Sequence, residues 1–530
     1  MKHEGIFRIA PHQPGNPRGG PDEMGMKAFD LARMTRLGLP VPPAFAMGTS
    51  SCRRWYRESE RYKKGLARAL EEPIRWLQSV TGLGLGDTRK PLLVSVRSGA
   101  PVSMPGMMDT LLNIGLCEST VRGMMRITGN PRLVWDSYRR LIQNFAEAVF
   151  CAAPQPFAAA LDEMLARERA DRVQELDHLN LAELTQTYLR LFRELTGKPF
   201  PQNPHKQLEA AIQAVFASWN SPRAVEYRRL HAIPDDLFTA ATIQKMVFGN
   251  AGGTSGAGVG FTRDPDSGEN RLYFDFLFNS QGEDVVSGRA IVSDAESLFW
   301  TLPGIREELR TVCSSLEQEF RDAQEFEFTV QDGQLYLLQT RAAKRTPWAA
   351  LRIAVEQARE GLIEKSEAFA RLEGLPLDGI KRQRLALEDQ QMLCRGQAAG
   401  MGVAIGPIAL DIDAVRKSSA EGRRAVVFVR DEMSTADIAG IALSAGVLTA
   451  RGNRTSHAAV VARQLGKACV TGCGWLRIDP DRRVVEFRDR TISEGETITL
   501  DSNTGCVYAG KAEVVVDYPS AWLDELGKWR

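Results

Sequence analysis

The sequence predicts an α/β (α+β) protein of several domains, on three observations. Short apolar runs of strand length, such as Leu92-Leu93-Val94-Ser95-Val96, recur between glycine and proline punctuation. Stretches of helical periodicity separate them, the longest covering residues 121–229. The 530 residues, at roughly 150 per domain, set a prior of about three or four compact units.

Taken in order, the stretch from Pro11 to Asp22 is dense in proline and glycine and reads as a loop. Residues 26–37 have helical spacing, ended by Gly38 and by Pro40, Pro42 and Pro43. The apolar run at Leu92 predicts a buried strand that delivers Arg97-Ser98-Gly99 and Ser103-Met104-Pro105-Gly106 as a loop. Residues 121–229 predict a helical subdomain. Strand character returns at residues 243–248, 271–278 and 334–338. Between the last two, Ile305, Leu309, Val312, Leu316 and Phe320 share one helical face, read as core packing. Residues 346–392 are helix-rich and charged without strand signals, which predicts a connecting arm. Residues 400–508 predict a separate α/β domain with strands at 425–429, 446–449, 484–487 and 497–500 and a helix from Ser456 to Leu465. The expected division is therefore 1–345 (helical insertion about 120–230), an arm at 346–395, a domain at 396–510 and a tail at 511–530.

Composition narrows the function classes. With 67 Lys+Arg against 66 Asp+Glu the formal net charge is +1, so the whole-chain balance supports neither a nucleic-acid nor an anionic-membrane partner. Any anion must be bound locally. Eight cysteines without a CxxC pair make neither a disulfide framework nor a zinc cluster. The N-terminus lacks an apolar h-region and no run of 18 apolar residues occurs, so a cytoplasmic protein without a membrane span is expected.

Of the six histidines, only His457 has a suggestive context. It follows Arg451-Gly452-Asn453-Arg454-Thr455-Ser456 and opens a helix that Thr455 or Ser456 would cap. Unpaired N–H groups at a helix N-terminus suit a phosphoryl group carried on imidazole, and neutral imidazole is a competent nucleophile near pH 7. A histidine that merely packs or caps fits the same pattern. Gly249-Asn250-Ala251-Gly252-Gly253-Thr254-Ser255-Gly256-Ala257-Gly258 follows a candidate strand and could wrap phosphate with its N–H groups, although alone it reads better as a flexible turn. Glu325 and Glu327 are two apart, so on a strand both point to one face, as a magnesium-nucleotide site needs. Gln339 and Arg341 repeat that spacing on the next strand. A solvated sheet face is the commoner origin of such pairs. Lys27 and Arg97, beside glycine loops, could neutralise a triphosphate.

Taken together, Val94-Ser95-Val96-Arg97-Ser98-Gly99-Ala100, Ser103-Met104-Pro105-Gly106-Met107-Met108-Asp109-Thr110, Met246-Val247-Phe248-Gly249-Asn250, Gln281-Gly282-Glu283-Asp284-Val285-Val286, Leu338-Gln339-Thr340-Arg341 and Leu448 through Arg463 resemble, in the right order, the motifs of the pyruvate, phosphate dikinase family. The resemblance implies an ATP-grasp-like nucleotide-binding region with a helical insertion, followed by a swivelling phosphohistidine domain. It implies that ATP and phosphate give AMP, pyrophosphate and phosphorylated His457, with pyruvate as the family's acceptor. It assigns His457, Thr455 and Arg97 to catalysis. Lys27, Arg97, Gly106, Thr254, Glu325, Glu327, Gln339 and Arg341 would hold the nucleotide, and Glu327 and Gln339 a Mg²⁺ ion. A homodimer is compatible with it.

Three local departures stand out. The family's Gly-Gly-Lys-Gly reads Gly25-Met26-Lys27-Ala28, Gly253 stands where the family has an acid, and Glu325-Phe326-Glu327 replaces Asp-Ile-Glu. These departures motivate an alternative reading as a nucleotide-binding regulatory or scaffold protein. About twenty residues follow the carrier region, whereas a pyruvate-binding barrel needs about 250. The expectation is thus that pyruvate or another acceptor is bound by a separate protein.

Overall fold

The computed structural model describes residues 5–11, 19–102, 104, 107–287, 295–386, 391–420, 426–433, 437–454 and 456–529. It has a mixed α/β fold that divides into two compact units, one of residues 1–252 with 336–339 and one of residues 253–335 with 340–530.

The first unit is built on strands β1 (Ile6–Ile9), β2 (Ala44–Met47), β3 (Val94–Gly99), β4 (Thr110–Ile114) and β5 (Ala240–Lys245). They form one antiparallel sheet in the order β1-β2-β5-β3-β4. On β3 the alternation puts Val94 and Val96 in the apolar core and Ser95 and Arg97 on the opposite face. Six helices lie between Glu118 and Leu230, and the first five share that core, in line with the helical periodicity of residues 121–229. Local chemistry starts three of them alike. Asn130, Asn203 and Ser221 each cap a helix by accepting from a first-turn N–H, and Pro131, Pro204 and Pro222 follow at the first helical position. Proline lacks an N–H that would go unpaired there in any case.

The second unit opens with β6 (Gly256–Phe261), β7 (Tyr273–Phe278), β8 (Gln324–Gln331) and β9 (Gln334–Ala342), in the order β7-β6-β8-β9. Here the sequence reading needs correction, because Gly256, Ala257 and Gly258 belong to a strand and not to the glycine-rich loop. The glycines make room for aromatic rings. A Cβ on Gly256, Gly258 or Gly260 would lie 2.1, 2.4 or 2.4 Å from the rings of Phe276, Phe328 and Phe326 respectively. The helix Pro303–Phe320 buries Ile305, Leu309, Val312 and Leu316 as its stripe predicts, while Phe320 is half-buried.

After the helices Pro347–Arg359 and Lys365–Leu372 come β10 (Arg382–Leu385) and β11 (Met392–Arg395), strands in a stretch where the sequence shows no strand signal. They were hidden because each is four residues long and half-exposed, and each pairs with a strand near the end of the chain. The remaining strands are β12 (Gln397–Ala398), β13 (Val403–Ala409), β14 (Val427–Arg430), β15 (Gly446–Thr449), β16 (Ala468–Thr471), β17 (Arg477–Asp479), β18 (Val484–Phe487), β19 (Arg490–Ser493), β20 (Thr497–Asp501), β21 (Cys506–Ala509) and β22 (Val514–Asp517). An eight-stranded sheet runs β11-β21-β20-β13-β14-β15-β16-β12, with β17-β18-β19 and β10-β22 beside it. β13 to β16 are parallel neighbours. The helix His457–Gln464 is the crossover from β15 to β16, so the turn leading into it lies at the carboxyl end of a parallel strand, where α/β sheets place their sites. Among the described residues no helix is long and apolar enough to cross a membrane.

Candidate functional site

In the first unit the structure brings Lys27 and Arg97 onto one face of β3. Gly25, at φ +75°, precedes the helix Met26–Arg36. A Cβ on Gly25 would fall 1.8 Å from the Gly99 carbonyl oxygen, and the Met26 N–H donates to the Ala100 carbonyl at 3.1 Å. The first helical turn is thereby clamped to the end of β3. A Cβ on Gly99 would lie 3.5 Å from the Cβ of Lys27. Gly99 is two residues from Arg97 and faces the same side, so the Lys27 and Arg97 side chains leave the backbone over one surface at a helix N-terminus, an arrangement suited to an anion. Arg97 also donates from Nη1 to the Leu338 carbonyl at 3.0 Å, beside Gln339 in the part of β9 that belongs to this unit. One turn along the helix, Asp30 is 5% exposed, and burial, partly offset by Arg33, pushes its carboxyl up to about 7.

In the second unit Glu325 and Glu327 lie on β8 and share a face, as their spacing predicts. The face is only partly solvated, with Glu327 half-buried. Their partners across β6 are Phe261 and Val259, both in an apolar cluster, and Glu325 is 7% exposed. Its carboxylate is ion-paired with Arg341. Burial disfavours the charge on Arg341, but the carboxylates of Glu325 and Glu327 more than restore it and leave its pKa above the usual value. Thr254 is fixed by its backbone: its carbonyl accepts from the Gly333 N–H at 3.0 Å, and the neighbouring Ser255 hydroxyl accepts from the Asp332 N–H at 2.9 Å. The glycine-rich turn is thus tied to the β8–β9 turn.

Sequence reasoning missed Asp275. It pairs with Val259 across β6 and so faces the same side as Glu327. It is 2% exposed. The signal was an acid at an alternating position in Tyr273-Phe274-Asp275-Phe276-Leu277-Phe278.

His457 is the first residue of its helix. Ser456 occupies the capping position, but its hydroxyl donates to the Asn453 carbonyl at 2.7 Å instead of accepting from the helix. That corrects its expected capping bond. Gly106, Thr455 and the side chain of His457 lie outside the described residues. The loop before the helix is held by Asn453, whose Nδ2 donates to the Val285 carbonyl at 2.6 Å. The helix itself is held by Arg463, whose Nε donates to Asp266 Oδ1 at 2.7 Å. Arg463 also lies over the Phe261 ring at 5.8 Å, and Phe261 is paired with Glu325, which places the helix beside the carboxylate-bearing face of β8.

Among the described residues no group of three or more His, Cys, Asp or Glu side chains gathers as a metal site. Magnesium does not require one. It is commonly held by one or two carboxylates together with substrate phosphates, and the carboxylate of Glu327 is a donor of that kind.

Residues 62–299 match the pyruvate phosphate dikinase AMP/ATP-binding domain, and residues 422–505 match the mobile domain of PEP-utilising enzymes. The first match includes Arg97 and Thr254, and the second includes His457. The chain is 40% identical over 510 residues to pyruvate, phosphate dikinase of Clostridium symbiosum, covering 96% of this chain and 58% of that protein. It is 40% identical over 521 residues to the Rhizobium meliloti (strain 1021) protein of the same name, with the same two coverages. The chloroplastic pyruvate, phosphate dikinase of Flaveria pringlei is 40% identical over 509 residues, with 96% of this chain and 53% of that one covered. The chain therefore spans a little over half the length of the curated relatives it matches.

Proposed function

We propose that this chain is a dikinase-type phosphotransferase in which ATP, with phosphate as co-substrate, phosphorylates His457. The γ-phosphoryl group passes to phosphate to give pyrophosphate, the β-phosphoryl group passes to the imidazole, and AMP is left. Phosphohistidine then donates to pyruvate or another small acceptor, one bound by a separate protein included. The observation that carries this reading is the placement of the His457 helix: Arg463 anchors it to Asp266 and lies over Phe261, the residue paired with Glu325 of β8.

Phosphoryl transfer asks the protein for position and charge neutralisation more than for covalent chemistry. Lys27 and Arg97 supply cations on one surface, with Gly106, Thr254, Gln339 and Arg341 proposed as further nucleotide contacts. Mg²⁺ bound at Glu327 and Gln339, with Glu325 nearby, would offset charge on the phosphates. Thr455 and Arg97 are proposed to assist the transfer, and the histidine intermediate divides the reaction between two acceptors. Cytoplasmic residence is part of the same proposal.

Incubation with ATP labelled at the β-phosphoryl group, Mg²⁺ and phosphate should yield AMP and an acid-labile label on the protein. A His457→Ala protein that labels equally would overturn the assignment. A second reading, a nucleotide-binding regulator without turnover, is favoured by one observation: Arg341 and Glu325 neutralise each other. Saturable ATP binding without AMP formation over hours would select it.

A further inference from the structure

The second unit holds a half-open cavity of about 560 Å³ lined from residues 264–273, 395–401 and 502–504 together with Arg382 and Arg454. Its charges do not balance. Three carboxylates line it, and each is already engaged. Asp264 is ion-paired with Arg271 and accepts from the N–H groups of Asp266 and Ser267. Glu269 lies 3.6 Å from the same Arg271 guanidinium, and Asp266 holds Arg463. Three further arginines line the space without an ion pair to any described carboxylate. Arg382 donates its Nε to the neutral amide oxygen of Asn503 at 3.1 Å. Arg454 lies over the Tyr273 ring at 5.0 Å, and its Nε is buried with no hydrogen-bond partner. Arg395 is exposed at the edge of β11. At the same wall the Ser502 hydroxyl is closed off from solvent and has no partner.

Guanidinium groups present planar, permanently charged donors that match the oxygens of a phosphate group, and buried polar atoms without partners are rare enough to call for an explanation. We propose that this cavity binds a phosphate-bearing anion carrying at least two negative charges, held by Arg382, Arg395 and Arg454. Arg454 stands in the turn that leads into the His457 helix, whereas residues 264–273 belong to the β6–β7 connection. An occupant held by Arg382, Arg395 and Arg454 therefore ties the carrier turn to β10 and β11. The site shares none of the residues assigned above to the nucleotide, and its test does not depend on turnover.

The test is hydrogen exchange on the full chain with inorganic phosphate, with pyrophosphate, and with sodium chloride at matched ionic strength. Either phosphate species should slow exchange at least threefold in peptides covering 395–401 and 502–504, and the stronger of the two identifies the better ligand. The Arg382→Ala/Arg395→Ala protein should lose that protection while binding ATP as the wild type does. If the double variant fails to fold, Arg395→Gln at the exposed position supports the same comparison. Protection confined to residues 25–28, 97–100 and 249–258 would overturn the proposal. So would protection equal in wild type and variant, or protection matched by chloride.

Discussion

Arg463 and Asp266 form a buried ion pair, Nε to Oδ1 at 2.7 Å, between the helix that starts at His457 and the β6–β7 connection. The guanidinium is 1% exposed, so neither charge can be abandoned cheaply. Removing one partner of a buried pair costs about 3–5 kcal/mol, because the other is left desolvated and alone. Arg463→Met should lower the urea midpoint accordingly, and Asp266→Asn added to it should recover part of the loss. Additive losses from the two substitutions would show that the pair is not coupled. If His457 is phosphorylated as proposed, Arg463→Met should also slow labelling, because the helix loses its anchor beside β8.

The glycines of β6 give a second prediction. A Cβ on Gly258 would meet Phe328 at 2.4 Å, and one on Gly260 would meet Phe326 at 2.4 Å, inside a sheet whose rings are themselves packed, Phe276 on Phe328 at 5.8 Å. Overpacking of this kind costs about 1–3 kcal/mol. Gly258→Ala and Gly260→Ala should therefore each lower the thermal midpoint. Phe326→Leu should restore much of the loss in Gly260→Ala, where the nearest atoms to the new Cβ all belong to that ring. Phe328→Leu should restore less in Gly258→Ala, where the Asp275 carbonyl oxygen stays 2.7 Å away. An unchanged midpoint for Gly258→Ala would contradict the packing described.

This misreading shows where sequence reasoning stops. Glycine at alternate positions in a strand and glycine in a loop look the same until the partner strands are known, and Phe276, Phe326 and Phe328 arrive from other strands. Arg463 and Asp266 are 197 residues apart, so no local pattern could pair them. By contrast, the position of His457 was legible, because a polar residue ahead of His457-Ala458-Ala459-Val460 marks a helix start locally. So was the shared face of Glu325 and Glu327, which period 2 alone determines. The burial of Glu325 was not, since it depends on the apolar residues of β6.

Asp30 predicts a pH dependence. Its pKa rises from an ordinary 3.8 to about 7 in the folded chain, so the folded state binds its proton more tightly than the unfolded one. Its contribution therefore favours folding below about pH 4 and is lost as pH rises toward 7. At 1.36 kcal/mol per unit the loss is on the order of 4 kcal/mol. Asp30→Asn removes the penalty, so its gain in stability over wild type should be larger at pH 8 than at pH 5. A gain independent of pH would mean that Asp30 is not the titrating group.

Gly25 and Gly38 separate two effects that are usually confounded. Both have φ +75°, so alanine is strained at either position by roughly 1–2 kcal/mol. At Gly38 nothing lies within 4 Å of an added Cβ, whereas at Gly25 the Gly99 carbonyl oxygen would be 1.8 Å away. Gly38→Ala should thus cost only the backbone term and leave ATP binding unchanged. Gly25→Ala must push the first turn of the Met26–Arg36 helix off the end of β3, moving Lys27 away from the face it shares with Arg97. ATP binding by calorimetry should weaken at least tenfold in Gly25→Ala beyond any change in Gly38→Ala. Equal affinities in the two variants would remove Lys27 from the proposed nucleotide contacts, because the clamp on β3 is what positions its ammonium.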